Sequence, residues 1–226
     1  MRFRGLAGGC FAAALFASPA FAGFSPGIEV GWSRTSALFQ VPSVEWQDPQ
    51  TGNALTAGLT LRVAPWTHVG FRFGVSYQQQ SVRVDYARSP GYWDTYEGEF
   101  QIEGRYVRLP FCLEARPARS QRFFLSLGPE LSFLREGHFE REETWTYGSG
   151  GTATNHTDED RTAEMKSTEW GVQIGAGLDL PTAGHWTTLE LRYTAGFTGV
   201  GDMRLYGPWE SDWRNRALEA IVGARW

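Results

Sequence analysis

Apolar side chains recur at every second position in eight segments of the chain, with small or polar residues between them. In the segment 55–63, leucine, alanine and valine alternate with threonine, glycine and arginine. A period of two places the two sets on opposite faces of a β-strand. The pattern therefore predicts strands near residues 27–36, 54–64, 67–80, 99–115, 121–135, 168–180, 187–198 and 214–226.

The two faces of these strands differ in their chemistry. One face carries bulky apolar residues, and the other carries glycine, hydroxyl groups and isolated charges, which suits a barrel with lipid outside and a narrow polar lumen. The alternative is a soluble sandwich or lipocalin-like barrel with the apolar face turned inward. Glycine-rich faces such as that of 171–177 would then meet water, where glycine weakens a strand. We therefore predict an all-β fold: an eight-stranded antiparallel up-and-down transmembrane β-barrel.

The connections between the predicted strands alternate in length. Three are short and contain proline (64–66, 116–120 and 181–186), and four are long (37–53, 81–98, 136–167 and 199–213). Short periplasmic turns and long outer loops are typical of outer-membrane barrels. The acidic segment 136–167 is predicted to be a solvated flexible loop with a mobile tip at 148–151. The alternative role for it is bridging to lipopolysaccharide through divalent cations, which prefer oxygen ligands.

The first residues predict export. Arg2 and Arg4 precede an apolar run over 5–17, and Ala20-Phe21-Ala22 has the form of a signal-peptide cleavage site. The run is too short for a membrane-spanning helix, which needs about 20 apolar residues. We expect a signal peptide at 1–22 and a barrel domain at 23–226. That domain contains one cysteine, Cys112, so it cannot form an internal disulfide.

Composition excludes several classes of function. A formal charge of −4 argues against a nucleic-acid partner. The sequence has no metal-ligand cluster, phosphate loop or nucleotide motif, so no cofactor and no metal site are predicted. Its four histidines stand in no recognisable serine–histidine pattern. A non-catalytic protein is therefore expected. A lipid A-modifying enzyme is only the third hypothesis, since acyl hydrolysis would need a serine activated by a base.

Charged residues lie at inward positions of the predicted strands. An eight-stranded barrel has a lumen just wide enough for side chains to fill it, and buried charges must be paired to be tolerated. The favoured interpretation is a salt-bridge network that plugs the lumen, and the alternative is a narrow channel for ions or small solutes. The predicted lumen charges are Glu29, Arg62, Arg72, Arg108, Glu114, Glu130, Asp179, Glu190, Arg192, Glu219 and Arg225.

Aromatic residues near the strand ends predict the two interfacial girdles of a membrane barrel. The candidates are Trp32, Trp66, Tyr77, Tyr106, Trp170, Trp186, Tyr193 and Trp226.

Four short segments resemble those of a known group. The strand Tyr106-Val107-Arg108-Leu109-Pro110-Phe111 resembles a Y-x-x-[IL]-P-[LF] strand of small outer-membrane barrels of the porin-like, OmpA/OmpX-type superfamily. The segments 128–131, 175–178 and 189–193 are similar to other strands of that group. The resemblance implies a Gram-negative-type outer-membrane location and a C-terminal aromatic, Trp226, that the barrel assembly machinery reads.

The resemblance specifies fold and compartment rather than activity. We expect a structural or surface-interaction role through the outer loops. The expected partners are outer-membrane lipids and lipopolysaccharide, the assembly machinery during biogenesis, and an extracellular partner at the loops.

Overall fold

The computed structural model describes residues 23–40, 52–64, 66, 68–88, 95–117, 122–160, 162, 167–198 and 212–226. Nine strands form one sheet: β1 (Phe24–Gln40), β2 (Gly52–Val63), β3 (Val69–Arg88), β4 (Thr95–Ala115), β5 (Phe123–Thr146), β6 (Thr152–Asp160), β7 (Thr168–Thr182), β8 (His185–Gly196) and β9 (Asp212–Arg225). No helix in the described part of the chain is long and apolar enough to cross a membrane. The expected signal peptide at 1–22 lies outside the described residues.

Eight of these strands close into a barrel. Each pairs antiparallel with its neighbours in the order β1, β2, β3, β4, β5, β7, β8, β9, and β9 returns to β1. The first and last strands run side by side from Gly27 opposite Arg225 to Gln40 opposite Asp212. The predicted eight-stranded antiparallel up-and-down barrel is confirmed.

The ninth strand, β6, lies outside the barrel. Together with the extended ends of β3, β4 and β5, it occupies segments that were predicted to be long loops. β3, β4 and β5 continue beyond the barrel, and β6 adds to β5 from His138 opposite Asp160 to Thr146 opposite Thr152. The segments 81–88, 95–104, 136–146 and 152–160 thus form a four-stranded antiparallel sheet, here called the outer sheet. The prediction of loops was wrong for residues 81–88, 95–98, 136–146 and 152–160, because the strands run on into these segments. Residues 89–94, 161 and 163–166 of the predicted loops lie outside the described residues.

A tight turn joins β5 to β6. The Gly150 amide donates to the Tyr147 carbonyl and the Tyr147 amide donates to the Gly151 carbonyl, each at 2.8 Å. Gly150 has a φ of +87°, which favours glycine. At the other end of β6, the Thr162 hydroxyl donates to the Asp160 carboxylate at 2.6 Å and the Thr162 amide at 2.9 Å. These bonds hold the pKa of the Asp160 carboxyl below its usual range. The expected flexible loop is therefore a hairpin.

Alternation along the strands separates an apolar outside from a polar inside. Leu55, Leu59, Leu127, Ile174 and Leu191 are each more than half exposed. The buried side chains, by contrast, include most of the charged residues of the barrel strands. This inverts the arrangement of a soluble protein, which buries its apolar side chains, and it agrees with a barrel whose outer surface meets lipid.

The two ends of the barrel differ. We call the end with the connections 64–68, 116–122 and 183–184, near Phe24 and Trp226, the turn end, and the opposite end, which carries the outer sheet, the loop end. At the loop end, the face of the outer sheet that points toward the barrel axis carries apolar side chains. Val82, Ile102 and Phe139 on this face are at most 3% exposed.

Candidate functional site

The lumen brings the predicted charges together. Its buried members are Glu29, Arg62, Arg72, Arg108, Glu114, Glu130, Asp179, Glu190, Arg192 and Glu219, and Arg225 is half-buried. They reach the lumen from all eight barrel strands because each occupies an inward-facing position of its strand. Three layers of contacts follow one another from the turn end to the loop end.

The layer at the turn end is centred on Asp179. Its carboxylate accepts from Arg62 at 2.9 Å and pairs with Arg225 at 2.7 Å and with Arg116. Arg62 also donates to Glu114 at 2.7 Å. The Phe124 ring lies under three of the guanidinium groups in this region, those of Arg62, Arg72 and Arg116, with its centroid 5.1–5.9 Å from their central carbons. At this separation, cation–π attraction adds to the ion pairs.

The middle layer is a branched network around Arg192. Arg72 binds Glu190 through two hydrogen bonds of 2.6 and 2.8 Å, the bidentate geometry that makes arginine–carboxylate pairs strong. Arg192 contacts three carboxylates: Glu190 at 3.0 Å, Glu29 at 3.3 Å and Glu219 at 3.7 Å. It is 1% exposed and lies among the largest fully buried side chains.

The third layer lies toward the loop end. Arg108 donates two hydrogen bonds of 2.6 and 2.7 Å to the Glu130 carboxylate and also contacts Glu219. Above it, three polar side chains continue in a chain: Gln80 donates to Asn215 at 2.6 Å, and Asn215 donates to Glu169 at 2.9 Å.

Two small cavities remain inside the barrel. One of about 30 Å³ lies near the loop end, beside Arg108 and Glu169, and one of about 20 Å³ lies nearer the turn end, beside Arg62 and Arg72. A cavity needs roughly 10–15 Å³ to hold a water molecule. The two cavities share no lining residue, so they are separate spaces, each with room for one or two water molecules.

Several residues of this network escaped sequence reasoning. Phe124 is fully buried in the lumen, where its apolar side chain departs from the polar-inside pattern. Arg116 lies in a segment predicted to be a turn. Glu169 and Asn215 stand at the loop end, at or near the predicted strand ends. Strand parity alone was a sufficient signal for Phe124 and Glu169, since each lies an even number of residues from a predicted inward position.

The aromatic candidates divide into seven on the outside and one inside. Trp32, Trp66, Tyr77, Trp170, Trp186, Tyr193 and Trp226 are 38–63% exposed, with Trp66, Trp186 and Trp226 at the turn end. Tyr106 is only 3% exposed and lines the lumen, so its assignment to a girdle was wrong. The physical reason is parity: Val107 and Leu109 take the lipid-facing positions, which turns Tyr106 inward with Arg108.

The histidines lie away from the lumen. On the outer sheet, His138 contacts Asp158 at 2.7 Å and His156 lies 3.9 Å from Glu140. His185, at the turn end, contacts the Ala183 carbonyl at 3.2 Å. None of these contacts involves a serine. Among the described residues, no group of three or more histidine, cysteine, aspartate or glutamate side chains is arranged to hold a metal ion.

Comparison with known proteins decides the family. The sequence matches the family model for the outer membrane protein beta-barrel domain over residues 16–201. The chain belongs to this family. The location is therefore the outer membrane, where the exposed apolar band of the barrel meets lipid. No curated protein matches the sequence.

Solved structures of outer-membrane barrels are similar to the chain in fold. Ail of Yersinia pestis, solved with the heparin analogue sucrose octasulfate, is 13% identical, with 90% of this chain and 99% of Ail covered and a TM-score of 0.35. OprG of Pseudomonas aeruginosa is 13% identical, with 91% and 96% covered and a TM-score of 0.48. Neisserial surface protein A is 14% identical, with 89% and 96% covered and a TM-score of 0.34.

Proposed function

We propose that this protein is a closed, non-catalytic outer-membrane barrel that acts through its outer sheet rather than by conducting solutes. The proposal that the lumen is closed rests on the layered charge network. Every arginine of the middle layer binds at least one carboxylate, and the two lumen cavities described above have room for one or two waters each. A path for ions would have to break bidentate pairs that are buried from water, which is costly.

The decisive experiment is single-channel recording of the refolded protein in a planar bilayer. We expect no conductance steps from protein whose folding is verified by a mobility shift between unheated and boiled gel samples. Reproducible steps that change in selectivity with Arg72→Met would contradict the plug and establish the narrow channel. The matched control is Arg105→Met, which neutralises an exposed arginine paired with Glu136 on the outer sheet.

The second half of the proposal rests on the charge of the outer sheet. Its face directed away from the barrel axis carries Glu97, Glu99, Glu103, Glu140, Glu142, Asp158 and Asp160, with Arg83 the basic residue that pairs there with Glu99. Glu140 stands directly opposite Asp158, and Glu99 directly opposite Glu142. Like charges directly opposite one another destabilise a sheet. His138, His156 and Arg83 lie beside Asp158, Glu140 and Glu99, but acidic side chains still outnumber basic ones on this face. From this excess of negative charge we infer that the face serves to contact a positively charged polypeptide.

A pair of substitutions separates binding from folding. Glu140→Lys and Glu142→Lys together place lysines opposite Asp158 and Glu99, so the sheet should keep its stability while the net charge of the face becomes much less negative. We expect binding of a lysine-rich peptide to the protein in zwitterionic nanodiscs to weaken several-fold at low salt, with the difference vanishing near 1 M salt.

The control for this variant adds lysines at the opposite end of the barrel. Thr182→Lys with Ala183→Lys changes exposed turn-end residues and should leave peptide binding at the wild-type level. Equal peptide affinity in the wild type and in the Glu140→Lys, Glu142→Lys variant would contradict the proposal that the acidic face binds the peptide. Lipopolysaccharide and the assembly machinery remain predicted partners.

A further inference from the structure

The strand β6 forms one edge of the outer sheet. Among the described residues it pairs with β5 alone, from His138 opposite Asp160 to Thr146 opposite Thr152. Eight of its nine residues are exposed and Thr157 is half-buried, so solvent reaches the strand along its length. An edge strand presents a row of backbone N–H and C=O groups that can pair with another chain.

The turn at Tyr147 determines which backbone groups of β6 face outward. The Tyr147 amide donates to the Gly151 carbonyl, which makes these two residues a hydrogen-bonded pair. Hydrogen-bonded and non-hydrogen-bonded pairs alternate along an antiparallel ladder, so the bonds to β5 fall at every second residue of β6. These residues are Ala153, Asn155, Thr157 and Glu159. The residues between them direct their N–H and C=O groups away from β5, and they include Thr154, His156 and Asp158.

The outward backbone groups belong to residues whose side chains lie on the acidic face. Asp158 stands opposite Glu140, and His156 stands opposite Glu142. Two residues of a hydrogen-bonded antiparallel pair place their side chains on the same face of the sheet. A strand added to β6 in antiparallel order would therefore bond through the same residues that extend their side chains over the acidic face. This geometry fits an extended peptide with a basic residue at every second position.

We propose that β6 binds a basic polypeptide by strand addition, with the partner lying antiparallel beside β6 as a fifth strand of the outer sheet. This inference rests on the proposed function and specifies how the positively charged polypeptide is held. In this mode of recognition, main-chain hydrogen bonds supply affinity and alternate side chains supply specificity. Antiparallel order continues the pattern of the outer sheet, in which each neighbouring pair of strands is antiparallel.

Methylation of the peptide backbone tests strand addition separately from charge. A short peptide in which lysine and threonine alternate is compared with two versions, one N-methylated at the lysines and the other at the threonines. All three carry the same charge and bind to the protein in zwitterionic nanodiscs. Since the lysines face the acidic side, their amides are the ones that bond to β6. We expect methylation at lysine to weaken binding by about tenfold or more, and methylation at threonine to change it by less than about twofold.

A variant of the protein removes one outward amide. Thr154→Pro deletes an N–H that does not bond to β5, and proline is tolerated on an edge strand where the N–H side faces solvent. We expect it to weaken binding of the unmethylated peptide several-fold. The matched control is Thr154→Ala, which keeps the amide and should bind the peptide as the wild type does.

Amide hydrogen exchange of the wild type gives a readout that does not depend on the folding of a variant. Peptide binding should slow exchange at Thr154, His156 and Asp158. Ala153 and Asn155 already bond to β5, so their exchange should change little.

The outcomes separate strand addition from the proposed function. Equal affinities of the two methylated peptides, or unchanged exchange at residues 154, 156 and 158 in the complex, would overturn strand addition and leave the acidic face as a purely electrostatic binding surface. Failure of the unmethylated peptide to bind at all would contradict the proposed function itself, and strand addition with it.

Discussion

Arg192→Met should be the most destabilising single substitution in the lumen, lowering the free energy of unfolding by about 3–5 kcal/mol. Arg192 is 1% exposed and contacts Glu29, Glu190 and Glu219. Methionine has a similar length but no charge, so the substitution leaves three buried carboxylates short of a counter-charge. Urea unfolding of the refolded barrel, followed by tryptophan fluorescence, measures the loss.

Two further variants separate this effect from general loss of packing. Arg105→Met removes an arginine whose pair with Glu136 is about half exposed, and it should cost less than about 1 kcal/mol. Glu190 keeps its pair with Arg72 and Glu219 its pair with Arg108, so Glu29 is the carboxylate left without its arginine. Glu29→Gln added to Arg192→Met removes that charge and should restore part of the lost stability, since residues of one network do not behave additively. Equal losses for Arg192→Met and Arg105→Met would mean that the lumen network contributes no more than a surface pair.

Which side chains of the barrel face lipid and which face the lumen was predictable from the sequence, because successive residues of a strand point to opposite faces. Val30 and Trp32 lie outside and Glu29 and Ser33 inside, as the alternation of 27–36 predicts. The same parity put Arg62, Arg72, Arg108 and Arg192 in one lumen, although they are far apart in the sequence. Which arginine binds which carboxylate was not predictable, since that depends on the stagger between strands, as with Arg72 and Glu190, 118 residues apart.

The extent of the strands was the part that sequence reasoning missed. In the barrel, alternation of apolar and polar residues marks a strand because one side meets lipid. In the outer sheet the face away from the axis is acidic, while the other face carries apolar side chains such as Ile102 and Phe139 together with the buried Arg141–Glu143 pair. An acidic segment ending in glycines at 148–151 then resembles a flexible loop, although its backbone pairs throughout.

Leu127→Arg should destabilise the barrel by about 2–4 kcal/mol in a lipid bilayer. Leu127 is 55% exposed, lies midway along the barrel portion of β5, and stands opposite Ile174 and Leu113 on the neighbouring strands. An arginine there would have to hold its charge against the hydrocarbon layer. In a water-soluble protein, the same change at so exposed a position would fall within about 0.5 kcal/mol.

The measurement is urea unfolding of the protein inserted in phosphatidylcholine vesicles, with Thr154→Arg as the matched control. Thr154 is exposed on β6 of the outer sheet, which lies outside the barrel, so we expect an arginine there to change the stability by less than about 0.5 kcal/mol. A large loss at Leu127 and none at Thr154 locates the boundary of the membrane between the barrel and the outer sheet. Equal small effects at both positions would contradict lipid contact at Leu127, because only hydrocarbon makes the charge of arginine so costly at an exposed site.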